Sequence, residues 1–478
     1  MSGMQGGPVV ILGMMASGKS TVGSRLARRL GRRLLDSDEQ IEAETGRKVR
    51  QIEASKGLSA VHVLEAAMLE AGVRAPRPAV VAAASSVVDH PLTVERLKPA
   101  FVVWLRIRPE TMLARMSGDP DNRHRPSLGA GSDAEMLEQI RQIDQRRAPY
   151  FESNADLVLD VDSLDPYDAV EAVLAVCDLP ELVLDAGAIV GEGPVWDPQS
   201  SVLWWVDITG RRIHRFEPAT GRDDIWDTPR EPTALALRHA GGLVVTTPQG
   251  IEAFHPDRAP KDRLELLIPI EADRSANRAN DAKCDRRGRF WVGTLAYDFA
   301  PDQGRVYRVE PSGDVTTVIE KATLSNGLGW TEDDATFYFA DSVAGQVAAY
   351  DFDLETGTLG HRRVVVPTDG RPFNPDGLTI DQEGCLWVAH FADGPGSVCG
   401  VPGGITRFAP DGQELTSIRM PVSYVTSACF GGADLRDLYI TTGRIDVPQA
   451  DLVHEPHAGG LFRWRAKVAG SVLHGFGG

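Results

Sequence analysis

"LSNGLGWTEDDATFYFAD", residues 324–341, reads as two β-strands joined by a polar turn, and its second half is one of six copies of a pattern. Five-residue apolar or aromatic runs recur as LWWVD (203–207), LVVTT (243–247), FWVGT (290–294), FYFAD (337–341), LWVAH (386–390) and LYITT (438–442). Short strands separated by Gly, Asp, Pro and Asn turns lie between them, without helical runs. The copies start about 40 to 52 residues apart. That spacing suits a four-stranded propeller blade, so residues 184–478 are expected to form an all-β, six-bladed propeller. An irregular β-sandwich has no reason to repeat at blade length.

In a propeller the innermost strands surround a central channel, so equivalent positions of each repeat face one another across the axis. About 11 to 13 residues before the centre of each repeated run stand Glu192, Thr233, Asn280, Asn326, Asp376 and Thr426. Apolar blade packing does not ask for carboxylates and amides at matching places. Their convergence points to a cation with oxygen ligands, held by Glu192, Asn326 and Asp376 with Asn280 close by. The alternative is that each closes a local turn, since Asn and Asp before Gly are common turn residues.

Residues 1–178 have a different grammar. Short β-type runs, PVVILG (8–13), AVVAAA (79–84) and FVVWLRI (101–107), alternate with helical stretches such as STVGSRLARRLG (20–31) and DAEMLEQIRQIDQRR (133–147). Alternation of this kind predicts an α/β domain with a parallel sheet and crossover helices. Gly13 to Ser20, GMMASGKS, fill the phosphate-loop pattern G-x-x-x-x-G-K-[ST] between a strand and a helix. Glycines let backbone N–H groups wrap an anion, Lys19 reaches the β and γ phosphates, and the Ser20 hydroxyl holds Mg²⁺. Gly13, Ser17, Gly18, Lys19, Ser20 and Thr21 are therefore expected to bind ATP or GTP.

LLDSDEQIEAETGRKV (34–49), RHRPSL (123–128) and RRAPYFESNAD (146–156) make the first half resemble the shikimate kinase family. The resemblance implies ATP with Mg²⁺, Asp36 near the metal, Asp38 taking a substrate hydroxyl, Arg125 as a catalytic lid arginine and Arg147 as the substrate-carboxylate arginine. Two departures accompany it. His62, in GLSAVHVLE (57–65), stands where the family has a substrate arginine, and Ala84, Ser85 and Ser86 replace its triple glycine. Side chains there reshape the acceptor pocket. Two expectations follow: a kinase for a different small hydroxylated acceptor, or a nucleotide-binding module that no longer phosphorylates one.

GEGPVWD (191–197), RANDAKCDRRGRFWVGT (278–294), LSNGLGW (324–330) and FNPDGLTIDQEGCLWVA (373–389) make residues 186–478 resemble the gluconolactonase and regucalcin (senescence marker protein) family. That resemblance implies Glu192, Asn326 and Asp376 as ligands of a divalent cation such as Zn²⁺, Ca²⁺ or Mn²⁺, and Arg278 and Asn280 as the substrate-orienting pair. Asp298 falls where regucalcin has a substrate-contacting glutamate, and Ala282 replaces a glycine. Asp376 at the metal edge would be the general base for lactone hydrolysis. No G-x-S-x-G elbow supports a serine hydrolase instead. The combined expectation is a bifunctional enzyme, lactonase plus ATP-dependent kinase of a small hydroxy acid. The alternatives are a lactonase with a silent nucleotide module, and a calcium-binding propeller without catalysis.

Fifty Lys and Arg against 67 Asp and Glu leave a net charge of −17, which argues against nucleic acid as a partner. No apolar run near the start is long enough for a signal peptide or a membrane span. The five cysteines contain no CxxC pair, so neither a disulfide framework nor a thiolate zinc site is expected, and a cytoplasmic setting fits. Oligomeric state is not legible.

Overall fold

The computed structural model describes residues 7–89, 91–117, 132–368, 371, 373–392, 403–445 and 447–478. Contacts divide the chain between Leu179 and Pro180 into two compact units.

The first unit is a five-stranded sheet of β1 (Val9–Gly13), β2 (Leu34–Asp36), β3 (Val80–Ala82), β4 (Phe101–Arg106) and β5 (Leu157–Asp160), in the order β2-β3-β1-β4-β5. Every pairing is parallel. Strands buried on both faces need apolar side chains throughout, and all five residues of β1 are buried. The helix Lys19–Arg29 follows β1 and buries Val22, Gly23, Leu26 and Ala27, a spacing that puts one apolar stripe on the sheet. β1 lies centrally between β3 and β4, so its carboxyl end, where loops diverge, is where an open α/β sheet binds ligands.

The second unit contains six four-stranded antiparallel sheets. Their inner strands are Gly191–Asp197, Ala234–Leu237, Asn277–Cys284, Ser325–Trp330, Phe373–Ile380 and Val425–Gly431. Each inner strand contacts the next, and the last contacts the first, which closes a six-bladed propeller. The six runs expected to recur as strands all lie in second strands: Val202–Asp207, Leu243–Thr247, Phe290–Ala296, Thr336–Asp341, Leu386–Ala392 and Asp437–Thr442. Two of them carry a shared lock. The indole N–H groups of Trp291 and Trp387 donate to Asp285 (2.9 Å) and Asp381 (2.8 Å), each of which also receives an arginine Nε.

Closure relies on a strand from the start of the unit. Glu181–Leu184 is the outer strand of the sixth blade and pairs with Leu461–Arg465. The propeller thus begins before the expected residue 184. Four half-buried residues between Pro180 and Asp185 do not by themselves reveal which blade they complete, because the partner strand lies almost 280 residues away in sequence.

Between blades, aromatic rings fill the space that diverging sheets leave. Phe337 is fully buried, with its ring 5.1 Å from Trp291, 5.1 Å from Trp330 and 6.0 Å from Tyr350. Phe337→Ala should destabilise the propeller by about 3–5 kcal/mol through lost transfer energy and an unfilled cavity. Urea unfolding followed by tryptophan fluorescence checks this, and an unchanged midpoint would show that the core collapses around the deletion.

Candidate functional site

The polar ring of the propeller comes from a backbone irregularity that recurs blade after blade. Register along the inner strand breaks between Glu192 and Val195, Ala279 and Ala282, Ser325 and Leu328, Pro375 and Leu378, and Val425 and Ser427. Glu192, Asn280, Asn326, Asp376 and Thr426 sit at or inside those breaks. A bulge frees a residue from the ladder and re-aims its side chain. The second blade lacks one, and Thr233 just precedes its inner strand, donating its N–H to the Thr246 carbonyl at 2.8 Å. The Asn–Gly and Asp–Gly pairs are therefore bulges and not turns. A Cβ on Gly327 would lie 2.7 Å from the Asp376 carbonyl oxygen, and one on Gly377 would overlap Ser427. Glycine after the ring residue is what lets neighbouring inner strands approach.

A chain of hydrogen bonds then orients the amides. Arg278 Nη1 donates to Asn280 Oδ1 (2.7 Å), Asn280 Nδ2 to Asn326 Oδ1 (2.6 Å), Asn326 Nδ2 to Ser342 Oγ (2.7 Å), and Ser342 Oγ to the Pro375 carbonyl (2.5 Å). The carbonyl at its end can only accept, which sets the direction of every donor before it. Asn326 Oδ1 consequently remains an oxygen donor for a cation. Arg278 also lies 5.9 Å from the Tyr297 ring centroid, and Glu231 is its largest attractive charge.

Burial and mutual repulsion disfavour the ionised form of the ring carboxyls. Burial, then the Asp281 charge, pushes Glu192 up to about 8. Burial, then Glu192 and Asp281, raises Asp376 well above the usual carboxylate range. Asp281, raised by burial and opposed by Lys283, hydrogen-bonds the Ala282 N–H at 2.8 Å, while Lys283 Nζ is tied to the Leu378 carbonyl at 2.8 Å. Among the described residues no three His, Cys, Asp or Glu side chains converge on a metal position. The set that fits a cation is two carboxylates and an amide, Glu192, Asp376 and Asn326, all hard oxygen donors suited to a divalent ion.

Asp281 and Lys283 were not singled out from sequence, although both lie in the quoted RANDAK stretch beside Asn280. Strand alternation hides them, since consecutive side chains should face opposite ways and the bulge breaks that rule. Asp298 is exposed on the rim and accepts the Ala300 N–H at 3.0 Å, closing its own loop. His390 stacks on Phe373 at 4.1 Å and is held down to about 3 by burial, as befits an uncharged core imidazole.

In the first unit, Gly13 (φ 150°), Ala16 (φ 57°) and Gly18 (φ 92°) shape the phosphate loop. Lys19 Nζ donates to the carbonyls of Gly13 (3.0 Å) and Met14 (2.9 Å), arching over the loop. Ser20 Oγ donates to Asp36 Oδ2 at 2.6 Å, and Asp36 Oδ1 accepts the Asp38 N–H at 3.1 Å. The hydroxyl and carboxylate expected near Mg²⁺ are thus in contact, and Ser17 Oγ is buried without a protein partner. These oxygens and the open loop amides fit a magnesium nucleotide.

Ala16, Ser17, Gly18 and Thr21 line a cavity of about 300 Å³ that also includes Arg115, Val161 and Pro166. Arg115, unsuspected from sequence, donates to the carbonyls of Ala16 (3.3 Å) and Val161 (2.5 Å), joining the loop to the segment after β5. Arg147 is 9% exposed, with Nε donating to Asp89 Oδ1 at 2.9 Å and Nη1 to Ser85 Oγ at 3.1 Å. Ser86 donates to Glu65, whose carboxyl is raised chiefly by burial. His62 is lowered by burial. Arg125 lies outside the described residues.

With these arrangements in view, residues 190–444 match the family model described as SMP-30/Gluconolactonase/LRE-like region. The chain belongs to that family. Residues 15–178 match the model for shikimate kinase. Regucalcin of Gallus gallus is 34% identical over 280 residues, which is 57% of this chain and 90% of that protein. The crystal structure of a calcium-binding regucalcin from Agrobacterium tumefaciens has a TM-score of 0.56 at 25% identity, covering 62% of this chain and 96% of that one. A luciferin-regenerating enzyme has a TM-score of 0.57 at 26% identity, covering 63% and 99% respectively. Among the described residues no helix is long and apolar enough to cross a membrane, and Cys177, Cys284, Cys385 and Cys429 are free thiols.

Proposed function

We propose that the propeller of this SMP-30/gluconolactonase-family chain is a divalent-cation-dependent lactonase acting on a sugar-acid lactone. We further propose that the first unit transfers a phosphoryl group from ATP to a small hydroxylated acceptor. The observation that supports the first reading is the recurrence of inner-strand bulges at Glu192, Asn326 and Asp376, with two buried carboxyls, Glu192 and Asp376, close enough for the first to raise the second.

Glu192, Asn326 and Asp376 would hold the cation. A bound divalent cation polarises a lactone carbonyl and acidifies an adjacent water. Arg278 and Asn280, locked to each other, hold the lactone oxygens in register with the ring. Asp376 removes a proton from water as its oxygen adds to the carbonyl carbon. The same carboxyl returns that proton to the ring oxygen as the carbon–oxygen bond breaks, so one water is consumed and a hydroxy acid released.

The test is a screen of intact protein on aldonolactones with Zn²⁺, Mn²⁺ or Ca²⁺ and after chelation. Hydrolysis should rise with at least one cation and fall to background with chelator. Equal rates in both conditions would sink the cation-dependent reading. Adding MgATP and following ADP release tests the second activity in the same preparation.

A further inference from the structure

Arg147 stands where a substrate carboxylate is expected to bind, yet its guanidinium already holds one. Nε and Nη2 donate to the two oxygens of Asp89, at 2.9 and 2.5 Å, and Nη1 donates to Ser85 Oγ. The pair is shielded, with side-chain exposures of 11% for Arg147 and 24% for Asp89. Planar, two-pronged contact of this kind is the strongest arrangement an arginine makes with a carboxylate. The second expected arginine is absent, and its place is taken by His62.

Each element packed around this spot contributes to the charge balance. The helix Leu58–Val73 supplies His62 and Glu65, and the helix Asp133–Asn154 supplies Arg146 and Arg147. The turn Ser85–Asp89 supplies Ser85, Ser86 and Asp89, and the start of the helix Ser37–Thr45 supplies Asp38. His62 has Asp89, Arg147 and Arg146 as electrostatic neighbours, and Glu65 has Asp38, Arg147 and Asp89. Glu53, on the helix Val49–Lys56, is a further neighbour of His62, so among the described residues four acidic side chains meet two arginines, one of which is spent on Asp89. An entering carboxylate would have to evict Asp89 and leave it half-buried near Glu65 without its two-pronged partner.

We propose that the acceptor of the first unit is an uncharged polyol, a sugar or cyclitol whose hydroxyls pair with Asp38, Glu65 and Ser85, and that carboxylic acids are excluded by the Asp89–Arg147 pair. This rests on the phosphotransferase reading of that unit. In the step, the acceptor oxygen bonds to the γ-phosphorus of ATP and its proton passes to Asp38. The bond from that phosphorus to the β–γ bridging oxygen breaks, and ADP leaves with the electron pair. The class includes a lactone before ring opening and excludes the hydroxy acid made from it. If one route uses both units, phosphoryl transfer therefore precedes hydrolysis.

The full-length protein with MgATP is assayed for ADP release on neutral polyols (myo-inositol, sorbitol, glucose), acids (shikimate, gluconate) and an amino sugar (glucosamine). Neutral polyols should raise release at least about tenfold over background and acids should not. Asp89→Asn, which frees Arg147, should then make the acids active by a similar factor. Wild-type turnover of acids or of glucosamine in preference to neutral polyols overturns the proposal while leaving the kinase reading intact. Silence on all three classes, with a fluorescent ATP analogue still bound, overturns both. If Asp89→Asn fails to fold by circular dichroism, the wild-type ranking of acceptors decides alone.

Discussion

Asp376→Asn lowers lactone turnover by a factor of about 10² to 10⁴, the usual worth of a positioned general base, with little loss of stability. Asparagine keeps the size of the side chain and its hydrogen bond to the Gly377 N–H, but it cannot carry a proton from water to the ring oxygen. The substitution also removes one of the carboxylates that repel each other across the buried channel, so thermal stability without cation should hold or rise. Steady-state hydrolysis beside a thermal melt separates the two effects. A variant indistinguishable from wild type in turnover would point to a cation-binding propeller without catalysis.

Lys19→Ala should cost about 10² to 10³ in ADP release, since the lysine charge is aimed where the transferring phosphoryl group gathers negative charge. The ammonium is held on the Gly13 and Met14 carbonyls of the phosphate loop itself. Nucleotide titration and ADP release measure the loss. Lactone hydrolysis by the same variant measures coupling between the units. Unchanged hydrolysis with and without ATP means independent sites, whereas a shift that wild type shows and the variant lacks means that nucleotide occupancy biases the propeller.

The clearest lesson concerns the quoted SNG, PDG and GEG stretches. Counting from the repeated strands predicts the ring residues at matching places in each blade, and five of the six lie at inner-strand bulges. Counting alone left open whether Asn326 and Asp376 close turns or face the channel. The answer depends on bulges, which arise when inner strands from different blades crowd together, as Gly327 against Asp376 and Gly377 against Ser427 show. No signal within one blade records that crowding except glycine itself, and glycine also marks turns.

The phosphate loop was legible in full, since Gly13 to Ser20 is one local motif between a strand and a helix, and so was the exchange of helix grammar for strand grammar near residue 179. What only the tertiary structure decided are relations between residues far apart in sequence. Glu181–Leu184 closes a blade with Leu461–Arg465, Arg115 bonds Ala16 across 99 residues, and Asp89 neutralises Arg147 across 58. Spacing and residue type specify elements and the surfaces they present, because those follow from short-range geometry. Which charge meets which, and whether an arginine is free for a substrate, follows from packing alone.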